Sequence, residues 1–130
     1  MRLSVVCTVP HLPRSKVGPN ARLHHHARYK ATRDARDEMI AELRNQDCAV
    51  SPLWETAHLD IVFTAKDKRR RDLDNLIGCC KPWIDALTDI VIVDDSADRL
   101  SLSARYEVGT EEKTVFQISR VEYRIPGTVW

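Results

Sequence analysis

The sequence predicts an α+β fold: a small mixed β-sheet with two helices packed on it. Two kinds of periodicity carry this expectation. Apolar residues alternate with period two over 3–9, 57–65 and 100–108, which places one set of side chains on a buried sheet face. Over 32–46 and 73–87 they recur at spacings of three and four instead, the signature of one helix face. A chain of 130 residues supports one core and not two, so a single domain over 1–130 is expected.

The first strand is read from Leu3, Val5, Cys7 and Val9, and Pro10 and Pro13 end it. Residues 10–29 read as a long basic loop with Gly18, Pro19 and Asn20 as turn formers. It carries Arg14, Lys16, Arg22, Arg28, Tyr29 and three consecutive histidines, His24 to His26. Loops of this length are either functional or disordered. Two readings stand: the loop grips phosphates and stacks rings on bases, or it is solvated. Consecutive side chains diverge in strand and helix alike, which argues against a dedicated histidine metal site.

A helix is expected from Thr32, as its cap, to Gln46, with Ala31, Ala35, Met39 and Leu43 as its stripe and Ile40 beside it. Asn45 to Pro52 reads as a turn region. Ala57, Leu59, Ile61, Phe63 and Ala65 form the inward set of a second strand. In the next helix, Leu73, Leu76, Ile77, Cys80, Trp83, Ile84 and Leu87 share one face, and Asp74, Gly78, Lys81 and Asp85 share another. The ring of Pro82 clashes with the carbonyl of Gly78, so the expectation is a kink there or a helix regular only beyond Pro82.

Ile90 to Val93 reads as a short buried strand ending at Asp94 and Asp95, whose side chains then point to opposite faces. Leu100 to Val108 is a further strand. Gly109 to Lys113 reads as a hairpin loop, Thr114 to Tyr123 as the partner strand, its mixed alternation open to a bulge, and Ile125 to Trp130 as an irregular tail.

The formal net charge is +1, but the charges are segregated. Residues 1–36 hold eight Lys and Arg against one acid, Asp34, whereas 85–98 hold five Asp and no base. The four cysteines, Cys7, Cys48, Cys79 and Cys80, have no CxxC spacing and read as reduced structural thiols of a cytoplasmic protein. No run of 18 apolar residues is present, so no membrane span is expected. The amino-terminal stretch is too short, and too polar at its flanks, for a secretory signal.

The chemistry concentrates at Asp67 to Leu76. Asp72 and Asp74 follow directly on Lys68, Arg69, Arg70 and Arg71. Crowded carboxylates repel unless a proton or cation lies between them. Hard divalent cations take oxygen ligands, so two or three Asp side chains suffice for a site. The neighbouring bases call for a polyanion, and metal-binding acid beside polyanion-binding base is what a nuclease needs. The plainer roles are a helix cap for Asp72 and surface ion pairs for the rest. Two other functions stay open, a non-catalytic DNA-binding module and a metal-dependent nucleotide hydrolase.

The residues Arg69-Arg70-Arg71-Asp72-Leu73-Asp74-Asn75-Leu76, then Lys81, Asp85-Ala86-Leu87 and Asp94-Asp95, resemble the RusA family of Holliday junction resolvases. The match is dense from about Arg69 to Ser96. The stretch around Gly78-Cys79-Cys80 is longer than in the family prototype. The resemblance implies a RusA-like fold and a homodimeric endodeoxyribonuclease, frequent in phages, that acts on four-way junctions in recombination and repair. It implies Mg²⁺, or Mn²⁺, held by Asp72, Asp74 and Asp95, with Lys81 as a further catalytic residue. It favours Asp95 over Asp94. Lys68, Arg69, Arg70, Arg71, Arg22 and Arg28 are the expected DNA contacts. The tail with Val129 and Trp130 is a candidate dimer surface.

Overall fold

The computed structural model describes residues 2–19 and 21–122. The tail with Val129 and Trp130 lies outside them. The fold is α+β: a four-stranded mixed sheet with three helices packed against it. In chain order these are β1 (Ser4–Val9), a 3₁₀ turn (Ser15–Val17), α1 (His25–Asn45), β2 (Ala57–Ala65), α2 (Leu73–Cys79), α3 (Lys81–Asp85), β3 (Leu100–Val108) and β4 (Lys113–Arg120). The strand order is β1-β4-β2-β3. β4 runs antiparallel to both β1 and β2, and β3 runs parallel to β2.

The inward set of β2, Ala57 to Ala65 at alternate positions, is fully buried. Val5, Cys7 and Val9 of β1 and Phe116 and Ile118 of β4 extend the same core. Ala35, Met39 and Leu43 from α1, with Trp83 from α3, pack on it.

Three expectations are corrected and a fourth is refined. β3 and β4 are not a hairpin. The connection crosses the end of β2, where Gly109 N–H donates to the Ala65 carbonyl at 2.8 Å. β4, with Thr114, Phe116 and Ile118 buried, takes an interior position, while β3, with Leu102 43 % and Val108 46 % exposed, takes the edge. Alternation assigns side chains to faces and leaves strand neighbours open.

Residues 90–93 are a turn and not a strand. The Val91 and Ile92 N–H groups both donate to the Leu87 carbonyl, and Trp54 and Ile92 form a single bridge. Both residues are buried as expected. Short apolar runs report burial, not backbone form.

α1 starts at His25, not after Thr32, and His24 is its cap, accepting from His26 N–H. The added turns are exposed all round and carry no apolar period to read. Arg28 secures them by donating to the Gly18 and Ala21 carbonyls. Finally, 73–87 forms two helices. Cys80 closes α2 and opens α3, and Pro82 sits in the first turn of α3, where its missing N–H costs nothing.

The 3₁₀ turn docks on α2 through glycine. A Cβ on Gly18 would collide with Cys79 Sγ and lie 3.3 Å from the Ser15 carbonyl oxygen. Gly18→Ala should therefore destabilise the fold by about 1–3 kcal/mol through overpacking. Urea unfolding checks this, and a midpoint equal to that of the unmodified chain would exclude the close approach.

Candidate active site

β2 delivers the chain to the basic segment, and this segment divides by burial. Arg71 is drawn in, its side chain 13 % exposed. It donates to Asp67 Oδ1 at 3.0 Å and to Tyr106 Oη at 3.1 Å, tying the segment to β3. The hydrogen bond from Arg71 is the main cause holding the Asp67 carboxyl below its usual range. Lys68, Arg69 and Arg70 are exposed. Arg69 N–H donates to Asp67 Oδ1 at 2.9 Å, and Arg70 lies 3.4 Å from Asp72. Arg22 is exposed, and Arg28 holds the 18–21 loop. Lys68, Arg69, Arg70 and Arg22 thus present charge outward, Arg69 beside Asp67 and Arg70 beside Asp72, while Arg71 and Arg28 are drawn into hydrogen bonds that tie segments of the chain together.

Asp72 occupies the cap position of α2, yet its side chain makes no capping hydrogen bond. Asp74, in the first turn, accepts from Asn75 N–H at 2.9 Å. Both carboxylates are exposed at the helix start, where the helix dipole favours negative charge.

Asp95 is half-buried, and the chain path brings it to the far end of α3. There it meets Asp85, itself paired with Lys81 at 3.0 Å. Partial burial pushes the Asp95 carboxyl above its ordinary range, and the hydrogen bond and charge of Asp85 push the same way, against Lys81. A hydrogen bond between two carboxyls requires a proton between them. The Asp85 hydrogen bond in turn raises Lys81, with the Asp95 charge adding to it. Lys81 and Asp95, both singled out in the sequence, therefore lie together. Asp85 joins them, and its i+4 spacing from Lys81 was the readable sign. Asp94 is exposed.

The donor chemistry, carboxylate oxygen throughout, suits a hard divalent cation. Among the described residues, no three His, Cys, Asp or Glu side chains are close enough to hold an ion together. Asp72, Asp74 and Asp95 are thus not assembled into one cage. Mg²⁺ needs none, because it is commonly held by one or two carboxylates, waters and the substrate's own phosphates.

The raised Asp95 sets a pH dependence. The folded chain binds this proton more tightly than the unfolded chain does, so its stabilisation is complete below the ordinary carboxylate value of about 3.9. It is lost as pH rises through the raised value. Asp95→Asn removes the charge and keeps the shape. In chelator, the variant should melt higher than the unmodified chain at pH 7, with the difference shrinking toward about pH 4. Thermal melts at the two pH values check this; a constant difference would contradict the carboxyl contact.

No family model matches the chain, and no curated protein matches it significantly, so any functional reading rests on these residues and their geometry.

Proposed function

We propose that this chain is a Mg²⁺-dependent, structure-selective endodeoxyribonuclease of the RusA type, which resolves four-way DNA junctions by paired cuts. The observation that carries the reading is the meeting of Lys81 with Asp95 beside Asp85 on α3, the helix that follows directly on α2 with Asp72, Asp74 and the exposed bases at its start. A pure DNA-binding surface gains nothing from carboxylates set against phosphate. The free thiols Cys7, Cys48, Cys79 and Cys80 are consistent with a cytoplasmic setting. Among the described residues, no helix is long and apolar enough to cross a membrane.

In this reading Lys68, Arg69 and Arg70 track the phosphate backbone without reading sequence. Asp72, Asp74 and Asp95 would hold the metal together with its waters and the substrate phosphate, and the metal would supply a polarised phosphoryl oxygen and an attacking water of lowered pKa. Lys81, steered by Asp85, offsets the charge that builds on the phosphate during attack. A four-way junction has two-fold symmetry and needs two opposed nicks. A C₂ homodimer supplies both, and closed two-fold pairs are the commonest oligomers.

Asp72→Asn, Asp74→Asn and Asp95→Asn should each lower junction cleavage in Mg²⁺ by at least about a hundredfold, in the manner of a lost charge-stabilising group. Junction binding should survive in all three. A gel assay on a labelled four-way junction, with Mg²⁺, Ca²⁺ or chelator, checks this. Binding without any cutting by the unmodified chain would favour the non-catalytic module, and full cutting in chelator would remove the metal.

The arginines should separate by role. Neutralising Lys68, Arg69 and Arg70 should flatten the log–log salt dependence of duplex binding by about 0.9 per lost phosphate contact, at unchanged melting temperature. Arg71→Ala should lower the melting temperature instead, because it removes the side chain that ties Asp67 to Tyr106 of β3. An unchanged slope for the triple variant would show that those bases do not meet phosphate.

A further inference from the structure

The sheet has two edges, and the chain treats them differently. β1 forms one of them. Its inward side chains, Val5, Cys7 and Val9, are buried. Its outer backbone is occupied as well. Thr8 N–H donates to Gln46 Oε1 and the Thr8 carbonyl accepts from Gln46 Nε2, both at 2.8 Å. Cys48 Sγ lies 3.3 Å from the Val6 carbonyl oxygen. Side chains at and just beyond the end of α1 thus hold the groups to which another strand would bind.

β3 forms the other edge and is left open. It pairs with β2 from Leu100 to Val108 in unbroken register, with no bulge, proline, glycine or lysine. On an edge strand, alternate N–H and C=O groups point away from the sheet. Among the described residues, nothing outside β2 donates to or accepts from the backbone of Ser101 to Val108. The core face of β3 is open too. The inward residues of β2 beside it are fully buried, whereas Leu102 and Val108 are 43 % and 46 % exposed and Tyr106 is half-buried. Natural proteins shorten, bulge, charge or cover such an edge. A long, regular edge with an apolar core face calls for a further strand.

The β3 sequence is complementary to itself. Two copies run antiparallel about a two-fold axis at Ala104 pair over the whole strand. Directly opposed residues share a face. On the core face Leu100 meets the second copy's Val108, and Leu102 meets its Tyr106. On the outer face Ser101 meets Glu107 and Ser103 meets Arg105. No like charges stand directly opposed, and no charge meets an apolar side chain. An unrelated strand would have to reproduce this order, whereas a second copy carries it by construction.

We propose that this chain self-associates through β3, joining two sheets edge to edge with the helices of both copies on one face. The axis passes close to the candidate site. Tyr106 Oη accepts from Arg71 at 3.1 Å, and Tyr106 stands two residues from Ala104, about 7 Å along a strand. The two basic segments therefore flank one axis, a symmetric frame for two opposed cuts. The inference rests on the two-fold pairing proposed above and gives it a surface; the edge itself is independent of catalysis.

Sedimentation of the full chain and its variants tests this. The unmodified chain should sediment at twice the single-chain mass. Leu102→Lys places a charge on the open core face of β3, an established block to edge pairing. It should sediment at the single-chain mass with unchanged far-UV circular dichroism. Val6→Lys, on the sealed edge, should leave the pair intact. Ala104→Cys stands against its own copy on the axis, so glutathione disulfide should link two chains; the unmodified chain, with its cysteines buried, should not link. A single-chain mass at the concentration of the junction assay would overturn the proposal. So would a pair that survives Leu102→Lys, a pair that Val6→Lys dissolves, or Ala104→Cys chains that do not link. Where Leu102→Lys fails to fold, the crosslink decides. A β3 pair that cuts no junction would keep the interface and remove the nuclease, and junction cutting by a chain of single mass would do the reverse.

Discussion

β2 is the strand on which the rest of the molecule depends. Its five inward side chains, Ala57, Leu59, Ile61, Phe63 and Ala65, are removed from water entirely, with β4 on one side and β3 on the other. Burial on this scale leaves the strand no freedom to slip, since a shift of one residue would turn its apolar set to the other face. The end of β2 is therefore a fixed point. The basic segment and α2 leave from it, and the β3–β4 connection crosses it through the Gly109–Ala65 hydrogen bond.

From that point the candidate site is built by short-range ties. Arg71 pins the basic segment to Tyr106 of β3, at the cost of one cation facing outward, and leaves Lys68, Arg69 and Arg70 free to do so. The break at Cys80 lets the apolar stripe divide: Leu76 packs from α2 and Trp83 from α3. Lys81 opens α3 and Asp85 closes it, which brings their side chains together one turn apart. The turn at 90–93 buries Val91 and Ile92 and so returns Asp95 to that same helix. Core packing thus sets where these acids stand, and the proton shared by Asp85 and Asp95 offsets the repulsion of like charges.

Trp83 anchors the helix that carries part of the candidate site. Its ring packs against Phe116 in the core, centroids 6.0 Å apart, and edge-on against His11, centroids 5.4 Å apart. These two contacts fix α3, and with it Lys81 and Asp85, between β4 and the segment that follows β1.

Much of this was legible in the residues alone. The bounds of β2 and β3, the inward set Val5, Cys7 and Val9 of β1, the Ala31–Ala35–Met39–Leu43 stripe and the break near Pro82 all follow from local periodicity and backbone chemistry. So does the clustering of Asp72 and Asp74 behind four bases. Periodicity describes a segment's relation to its own face, and it carries no information about which segment lies alongside. The insertion of β4 between β1 and β2, the turn at 90–93 and the start of α1 at His25 were therefore decided by tertiary contacts. So was the meeting of Asp85 with Asp95. Each depends on the path of the chain between distant residues, and that path is set by how the whole core packs.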